Sequence, residues 1–196
     1  VERGNLSTVT IEVREDDENA GTLNALTTDD LVTNGVPVNV TSTNGAEFID
    51  LTGGSDINVT NGGNLTVQSD GDVRIDAGGV LDLDDGTVNI ASGGQLEIGD
   101  GGTVQRGPDA SFASGSEAVT APGNLNVTYD GSASSALDAG AEIPSDRDLG
   151  GTLTVSNDNT INFSNGLTVG DLDLQNGNGS SVDFGTNDLT SNGKVE

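Results

Sequence analysis

The sequence predicts an all-β protein, a β-solenoid of the parallel β-helix type, on three observations. Apolar pairs with one polar residue between them recur every seven or eight residues over a long stretch of the chain. Glycine-rich turns separate these pairs, and aromatic residues make up only 3% of the chain. A narrow solenoid interior is filled by Val, Ile and Leu, whereas a globular core of this size normally holds more aromatic bulk.

The repeat itself begins at Ile49 and continues to Val104. Its members are Ile49/Leu51, Ile57/Val59, Leu65/Val67, Val73/Ile75, Leu81/Leu83, Val88/Ile90, Leu96/Ile98 and then Val104. Each pair places two apolar side chains on one face of a short strand, with the polar residue between them toward water. The turns, such as Gly78-Gly79 and Asp85-Gly86, contain residues that adopt positive φ at little cost. Stacked in parallel, such strands would bury one continuous apolar column.

Two features of this fold stay open in the sequence. Two repeats per coil would give about 16 residues and a flattened section, while three would give about 24 and a triangular one. The alternative fold is a β-sandwich of the pilin-like kind, because Asn-Gly and Asp-Gly are also good hairpin turns. Strands this short and this evenly spaced favour the solenoid.

The charge of the chain limits its partners. Acidic residues outnumber basic ones by 32 to 6, which gives a formal charge of −26. Nucleic acids and anionic membranes attract cationic surfaces, so we expect neither as a partner. Membrane insertion is not expected either, since no apolar run approaches the length of a membrane span. The charge is typical of a well-solvated surface, of a saline habitat, or of a surface that gathers divalent cations.

The first 21 residues form a separate N-terminal segment, a strand followed by an acidic linker. Leu6, Val9, Ile11 and Val13 give the strand its apolar positions. One interpretation is that this strand flanks the solenoid of its own chain. The other is that it leaves the subunit and completes a sheet in the next one, as a donor strand.

The rest of the chain, residues 22–196, is predicted to be the solenoid, with an irregular insertion at about 109–151. Gln105-Arg106-Gly107-Pro108 closes the regular repeat, and the insertion breaks the period with Ala, Ser, Gly and Pro. Long departures from a solenoid period are usually loops on one face, so this segment is the candidate contact surface. We expect Tyr129, within its one strand, to be a packing or edge residue.

The carboxylates are the candidate metal ligands, since oxygen-rich turns can hold calcium. The candidates are Asp70, Asp72, Asp82, Asp84 and Asp85. Neither the Gly-rich calcium nonapeptide nor an EF-hand loop occurs, which argues against a specific calcium site of a known kind. Calcium bound by these carboxylates is the one cofactor considered, and no other is expected. Histidine and cysteine are absent. The usual nucleophile–base pairs are therefore unavailable, and we predict no enzymatic activity and no catalytic residue.

Several segments resemble the repeats of secreted bacterial β-helix adhesins, the filamentous haemagglutinin-like and autotransporter-passenger-like proteins. They are GNLTV at 63–67, GTLTV at 151–155, GLTVGDLDL at 166–174 and VDFGTNDLTSNG at 182–193. The resemblance covers about 48–104 and 151–196. It implies a right-handed parallel β-helix at the cell surface, used as a stalk, fibre or adhesin. The chain departs from these proteins in being short and in showing no secretion or barrel domain.

We therefore predict a structural subunit of an extracellular filament or surface layer, a pilus-like fibre that assembles head to tail. No capping element follows the last apolar residues, so end-to-end stacking or strand addition is expected, unless the chain is part of a longer solenoid. The predicted assembly residues are Leu6, Val9, Ile11 and Val13 at one end and Phe184, Leu189 and Val195 at the other. The alternative is a monomeric cell-surface adhesin that binds a glycan or a host or cell-surface protein through the 109–151 loops.

Overall fold

The computed structural model describes the backbone of residues 9–13, 23–26, 31–32, 38–42 and 48–51. It also describes residues 56–59, 62–69, 71–131, 135–175 and 179–196, apart from the side chain of residue 72. These residues form 21 short strands and no helix. None of them forms a helix of the length and hydrophobicity that crossing a bilayer requires.

The strands have these bounds: β1 (Val9–Val13), β2 (Leu23–Leu26), β3 (Leu31–Val32), β4 (Val38–Ser42), β5 (Phe48–Leu51), β6 (Ile57–Val59), β7 (Asn64–Val67), β8 (Asp72–Ile75), β9 (Val80–Leu83), β10 (Thr87–Ile90), β11 (Gln95–Ile98), β12 (Gly102–Arg106), β13 (Ser111–Phe112), β14 (Leu125–Tyr129), β15 (Leu137–Asp138), β16 (Gly150–Val155), β17 (Thr160–Asn162), β18 (Leu167–Val169), β19 (Asp171–Leu174), β20 (Ser181–Asp183) and β21 (Leu189–Ser191).

The parallel β-solenoid predicted from the repeat is confirmed, and it has three strands per coil. Successive strands enter three different sheets, of orders β1-β4-β7-β10-β13, β2-β5-β8-β11 and β3-β6-β9-β12-β14-β16-β19. All these pairings are parallel. Equivalent residues on neighbouring coils, such as Arg74 and Glu97, are 23 residues apart. The coil is therefore triangular, and the two-strand coil and the pilin-like sandwich are both excluded.

Glycine makes the tight corner between the second and third strand of a coil. Gly78 and Gly101 occupy equivalent corners on successive coils and have φ values of 77° and 72°. Residues other than glycine rarely adopt this left-handed backbone conformation. The Gly78 amide donates to the Asp100 carbonyl at 3.1 Å, so the corners also bond from coil to coil.

The apolar pairs fill the interior, as predicted. From Ile57 onward, the predicted members are all fully buried: Ile57, Val59, Leu65, Val67, Val73, Ile75, Leu81, Leu83, Val88, Ile90, Leu96, Ile98 and Val104. The residues between them face outward and keep partial exposure. Further along the chain the column continues with Val127, Leu153 and Val169.

Residues 109–151 are irregular in period, yet they add strands to the stack. β13 pairs with β10, β14 pairs with both β12 and β16, and β15 pairs with β17. One face is interrupted, because β13 ends one sheet while β15 begins a separate sheet of order β15-β17-β20. A second short sheet, β18-β21, completes the later coils.

The N-terminal strand flanks the solenoid of its own chain. All five residues of β1 pair in parallel with β4, from Val9 against Val38 to Val13 against Ser42. This pairing corresponds to the first of the two arrangements considered for the strand, and donation to another subunit stays a prediction. Leu6 lies outside the described residues.

Candidate functional site

Among the described inward positions of the third sheet, two carry polar side chains, Arg106 and Tyr129. Arg106 pairs with Leu83 on one side and Tyr129 on the other, and Tyr129 pairs with Val155. Both polar residues therefore occupy a position that other coils fill with an aliphatic side chain. Arg106 is 8% exposed and Tyr129 is fully buried. A guanidinium at such depth needs a charged partner, because its desolvation is otherwise very costly.

That partner is Glu142, which lies in the loop between β15 and β16 and is fully buried. Its Oε1 accepts a hydrogen bond from Arg106 Nη1 at 2.6 Å and another from the Tyr129 hydroxyl at 2.8 Å. Charge-assisted bonds of this length are the strong ones. The three side chains form one buried polar cluster beside the apolar column.

Arg106 also connects the main chain across the interrupted face. Its Nε donates to the Ala110 carbonyl at 3.1 Å, just before β13, and its Nη1 donates to the Asp138 carbonyl of β15 at 2.9 Å. These two strands belong to different sheets. The guanidinium therefore replaces part of the ladder that is missing between them.

Tyr129 is held in its protonated form. Burial raises the pKa of Tyr129 well above its usual range, and the adjacent Glu142 carboxylate raises it further. The Arg106 guanidinium carbon lies 6.0 Å from the centre of the ring. A protonated phenol is what the hydrogen bond to Glu142 requires.

The second carboxylate oxygen of Glu142 is the exception in this cluster. Oε2 is sealed from solvent and has no hydrogen-bond partner among the described residues. A Cβ atom added at Gly140 would lie 3.1 Å from it. Most buried polar atoms in proteins have a hydrogen-bond partner, so an unpaired carboxylate oxygen is an unusual feature of this cluster.

A cavity of about 310 Å³ opens beside the cluster, at the interruption between β13 and β15. Arg106 lies in its wall with residues 112–116 on one side and Asp138, Gly140 and Ala141 on the other. Phe112 supplies an apolar wall. Ser114 and Ser116 supply hydroxyls, and Ser116 Oγ accepts from the Ile90 amide at 2.8 Å.

A groove of about 500 Å³ continues along the same face over β15, β17 and β20. Asn162 Nδ2 donates to Asp138 Oδ1 at 3.0 Å, and Asp183 lies one strand further along. Phe163 forms the apolar side of the groove and stacks on Phe184 with ring centres 4.7 Å apart. Asp138 contributes to both the cavity and the groove.

Three of the predicted metal ligands have described side chains, and these lie on the outer surface of one strand and the turn that follows it. Asp82 lies on β9 and is half-buried, while Asp84 and Asp85 are exposed in the following turn. Asp85 Oδ1 accepts a hydrogen bond from the Gly62 amide at 3.0 Å. Within the part of the chain that the structure describes, no three acidic residues are placed to hold a metal ion. Asp70 and the side chain of Asp72 lie outside that part, and calcium stays a prediction.

Asp82 lies in an acidic neighbourhood. Burial raises its pKa above the usual 3.8, and the charges of Asp130, Asp84 and Asp56 raise it further. Because the folded state binds this proton more tightly than the unfolded chain, the contribution to stability is present below the unfolded pKa. It is lost as the pH rises through the higher folded pKa.

Replacing Asp82 by Asn should therefore raise stability at pH 7 and not at pH 3. We expect a gain of up to about 0.5 kcal/mol in low salt, because a half-exposed group is well screened by solvent. Urea unfolding of the variant and the wild type at both pH values measures this. Asp109→Asn, at an exposed turn, is the control, and an equal gain for both variants, or an equal gain at both pH values, contradicts the assignment.

The predicted assembly residues that the structure describes, which leave out Leu6, lie at opposite ends of the stack. Val9, Ile11 and Val13 belong to β1, the first strand of its sheet. Phe184 and Leu189 lie in the outermost layer at the other end and are half-buried, and Val195 is 62% exposed. The structure places the described members of this set at the two ends of the stack, and their role in assembly stays a prediction.

Sequence reasoning missed Glu142 and the inward position of Arg106, whereas Tyr129 is a packing residue, as expected. Arg106 stands two residues after Val104, where each earlier pair has its second apolar member. This substitution of a charge for an apolar residue was the available signal. Nothing periodic points to Glu142, which is 36 residues further along the chain.

The fold defines a β-solenoid protein, a parallel β-helix built from short repeats. No protein-family model, curated protein or solved structure matches the chain. The class is therefore established by the coil itself, and the adhesin resemblance stays an expectation.

Proposed function

We propose that this chain is a structural subunit of an extracellular filament or surface layer, in which copies stack head to tail. The observation that carries the proposal is that the described stack has open strand edges at both ends. Among the described strands, β1, β2 and β3 each have a single neighbour, as do β20 and β21. Unpaired N–H and C=O groups at such edges readily pair with another chain.

The strands at the two ends of the stack run in the same direction. Because every strand pair is parallel, the first layer of one copy can continue the ladder of another copy's last layer. Such a contact joins two different surfaces and does not close on itself, so it propagates as a fibre. Strand donation by β1 is the less favoured route, since β1 is already paired with β4 of its own chain.

Apolar side chains support the same contact. In the middle of the stack the inward residues are fully buried, whereas at the last layer Val182, Phe184 and Leu189 are half-buried. Val195 is 62% exposed beside them. A second copy stacked on this layer would cover these side chains and gain the free energy of burying their apolar surface.

Charge would control the assembly. Each copy carries a formal charge of −26, so copies repel each other at low ionic strength. We expect salt, or calcium acting between acidic surfaces, to promote stacking by reducing this repulsion. The extracellular location belongs to the same proposal and is supported by the adhesin-like repeats.

Negative-stain electron microscopy at physiological salt, with calcium or with a chelator, tests the proposal. We expect uniform fibres, and we expect Val195→Asp to abolish them by placing a charge in the contact. Ser92→Asp adds the same charge at an exposed turn on the side of the solenoid and should leave the fibres intact. Compact single particles under all conditions, or equal loss with both variants, would contradict head-to-tail stacking.

A second candidate function is a monomeric cell-surface adhesin that binds through residues 109–151. The observation that favours it is that the cavity and the groove both draw residues from this segment. The two functions separate experimentally, because Val195→Asp should remove fibres and leave ligand binding unchanged.

A further inference from the structure

Arg106 lies in the wall of the cavity and has hydrogen-bond donors that no described residue accepts from. Arg106 Nε donates to the Ala110 carbonyl, and Nη1 donates to the Asp138 carbonyl and to Glu142 Oε1. Nη2 has no partner among the described residues. Nη2 is not sealed, because the one fully enclosed unpaired side-chain atom there is Glu142 Oε2. The Arg106 side chain is nine-tenths buried and lies in the cavity wall. The two N–H groups of Nη2, which have no partner among the described residues, thus belong to a side chain that lines a concave surface.

The position of this guanidinium is rigid before any ligand arrives. Three hydrogen bonds, to Ala110, Asp138 and Glu142, fix its plane, and Tyr129 fixes Glu142 in turn. A binding group that is already ordered loses little conformational entropy when it engages a ligand. Glu142 is therefore a positioning residue for Arg106.

The charges beside the cavity favour a neutral ligand. Glu142 offsets the charge of Arg106 at 2.6 Å, and Asp138 adds a carboxylate whose Oδ1 already accepts from Asn162. An anion would meet the Asp138 charge, and a cation would meet the guanidinium. Hydroxyl groups suit both, since a hydroxyl accepts from a guanidinium and donates to a carboxylate.

The remaining walls suit a compact ring. Phe112 offers an apolar surface, and Ser116 keeps its own O–H to donate because its oxygen accepts from the Ile90 amide. The volume of about 310 Å³ is at the small end of the range for ligand pockets and suits a single sugar ring.

We infer that the cavity formed by Arg106, Phe112, Ser114, Ser116 and Asp138 binds one neutral sugar residue. The inference deepens the adhesin candidate and is independent of head-to-tail stacking. Free sugars and the terminal residue of a larger glycan share this chemistry.

Titration of the full-length, ¹⁵N-labelled chain with methyl glycosides of glucose, galactose and mannose tests the site. We expect at least one to shift the amide signals of residues 113–116 and 140–141, with a Kd on the order of 1–10 mM for so small a ligand. Sodium glucuronate and methylamine are the charged probes, and both should bind more weakly. A glycan array then distinguishes the sources, since retention on the array assigns the site to a terminal glycan residue and failure there assigns it to free sugars.

Filling the cavity provides the matched variant. Ser114→Trp places a large side chain at the exposed edge of the cavity, and Ser92→Trp places one on a distant exposed turn. We expect Ser114→Trp to weaken binding by at least about tenfold and Ser92→Trp to leave it unchanged. The amide spectra of both variants report whether the fold is intact.

Three results would overturn the inference. One is the absence of amide shifts at any glycoside concentration up to saturation of solubility. The second is tighter binding of glucuronate than of every neutral glycoside. The third is a set of shifts confined to the groove around Asn162 and Asp183, which would keep the adhesin candidate but move its site.

Discussion

Replacing Glu142 by Ala is expected to lower the free energy of unfolding by about 3–5 kcal/mol, because it leaves a buried charge without its partner. Arg106 would keep its two main-chain bonds but lose the carboxylate 2.6 Å away. The Tyr129 hydroxyl would lose its acceptor in the same interior. The chain has one Tyr and no Trp, so intrinsic fluorescence during urea unfolding reports on this cluster alone.

Two further variants separate the lost pair from a general effect of substitution. Glu117→Ala, at an exposed position, should change the free energy of unfolding by less than about 0.5 kcal/mol. The double variant Arg106→Met with Glu142→Leu should be less destabilised than Glu142→Ala, since it leaves no charge in the interior. Equal stability of Glu142→Ala and Glu117→Ala would show that the cluster does not hold the interrupted face together.

Truncating the apolar column should have a similar effect. Leu81→Ala is expected to cost about 2–5 kcal/mol, as is typical when a buried leucine leaves a cavity. Leu81 is fully buried and pairs with Ile57 on the preceding coil and Val104 on the following one. The cavity would therefore interrupt packing on both sides, and urea unfolding followed by circular dichroism measures the loss.

The apolar residue at the end of the stack supplies the comparison. Val195 is 62% exposed, so Val195→Ala in the unassembled chain should cost less than about 0.5 kcal/mol. A similar cost at both positions would mean that burial in the column does not determine stability.

The regular part of the fold could be predicted from the sequence because the residues of each repeat are enough to predict its strand and its turn. The apolar pair specifies a short strand with one inward face, and the following turn specifies a corner. The number of strands per coil could not be predicted, since successive repeats look alike and any of them could stack on any other. Contacts between coils decide it, such as Thr66 of β7 against Asn89 of β10.

The irregular segment was harder to predict for a different reason. Its strands are short and its loops vary in length, and the pairing of β14 with β16 shifts register between Leu125 and Val127. Strand neighbours here depend on the ladder already formed by β12 rather than on a local period. Sequence spacing alone therefore identified a departure from the repeat without showing that the stack continues through it.

The contacts within the buried cluster could not be predicted from the sequence repeat. Arg106 falls at an inward position of the repeat, which is visible in the sequence once the register is known. Glu142 reaches it from a loop, and the distance along the chain carries no signal of the contact. A charged residue in a predicted apolar column should therefore prompt a search for its counter-ion elsewhere in the chain.

Paired cysteines test the three-strand coil most directly, and the chain has no native cysteine to interfere. In one variant Thr66 and Asn89, which are register partners, are both replaced by Cys. Neighbouring strands lie about 4.8 Å apart, within the range that a disulfide spans. In the other variant Thr66 and Asp82 are replaced by Cys, a pair that a two-strand coil of about 16 residues would bring together.

We predict rapid formation of a disulfide in the first variant and none in the second, as read by mass spectrometry of linked peptides. Cross-linking of Thr66→Cys with Asp82→Cys, and not with Asn89→Cys, would contradict the fold on which every proposal here depends.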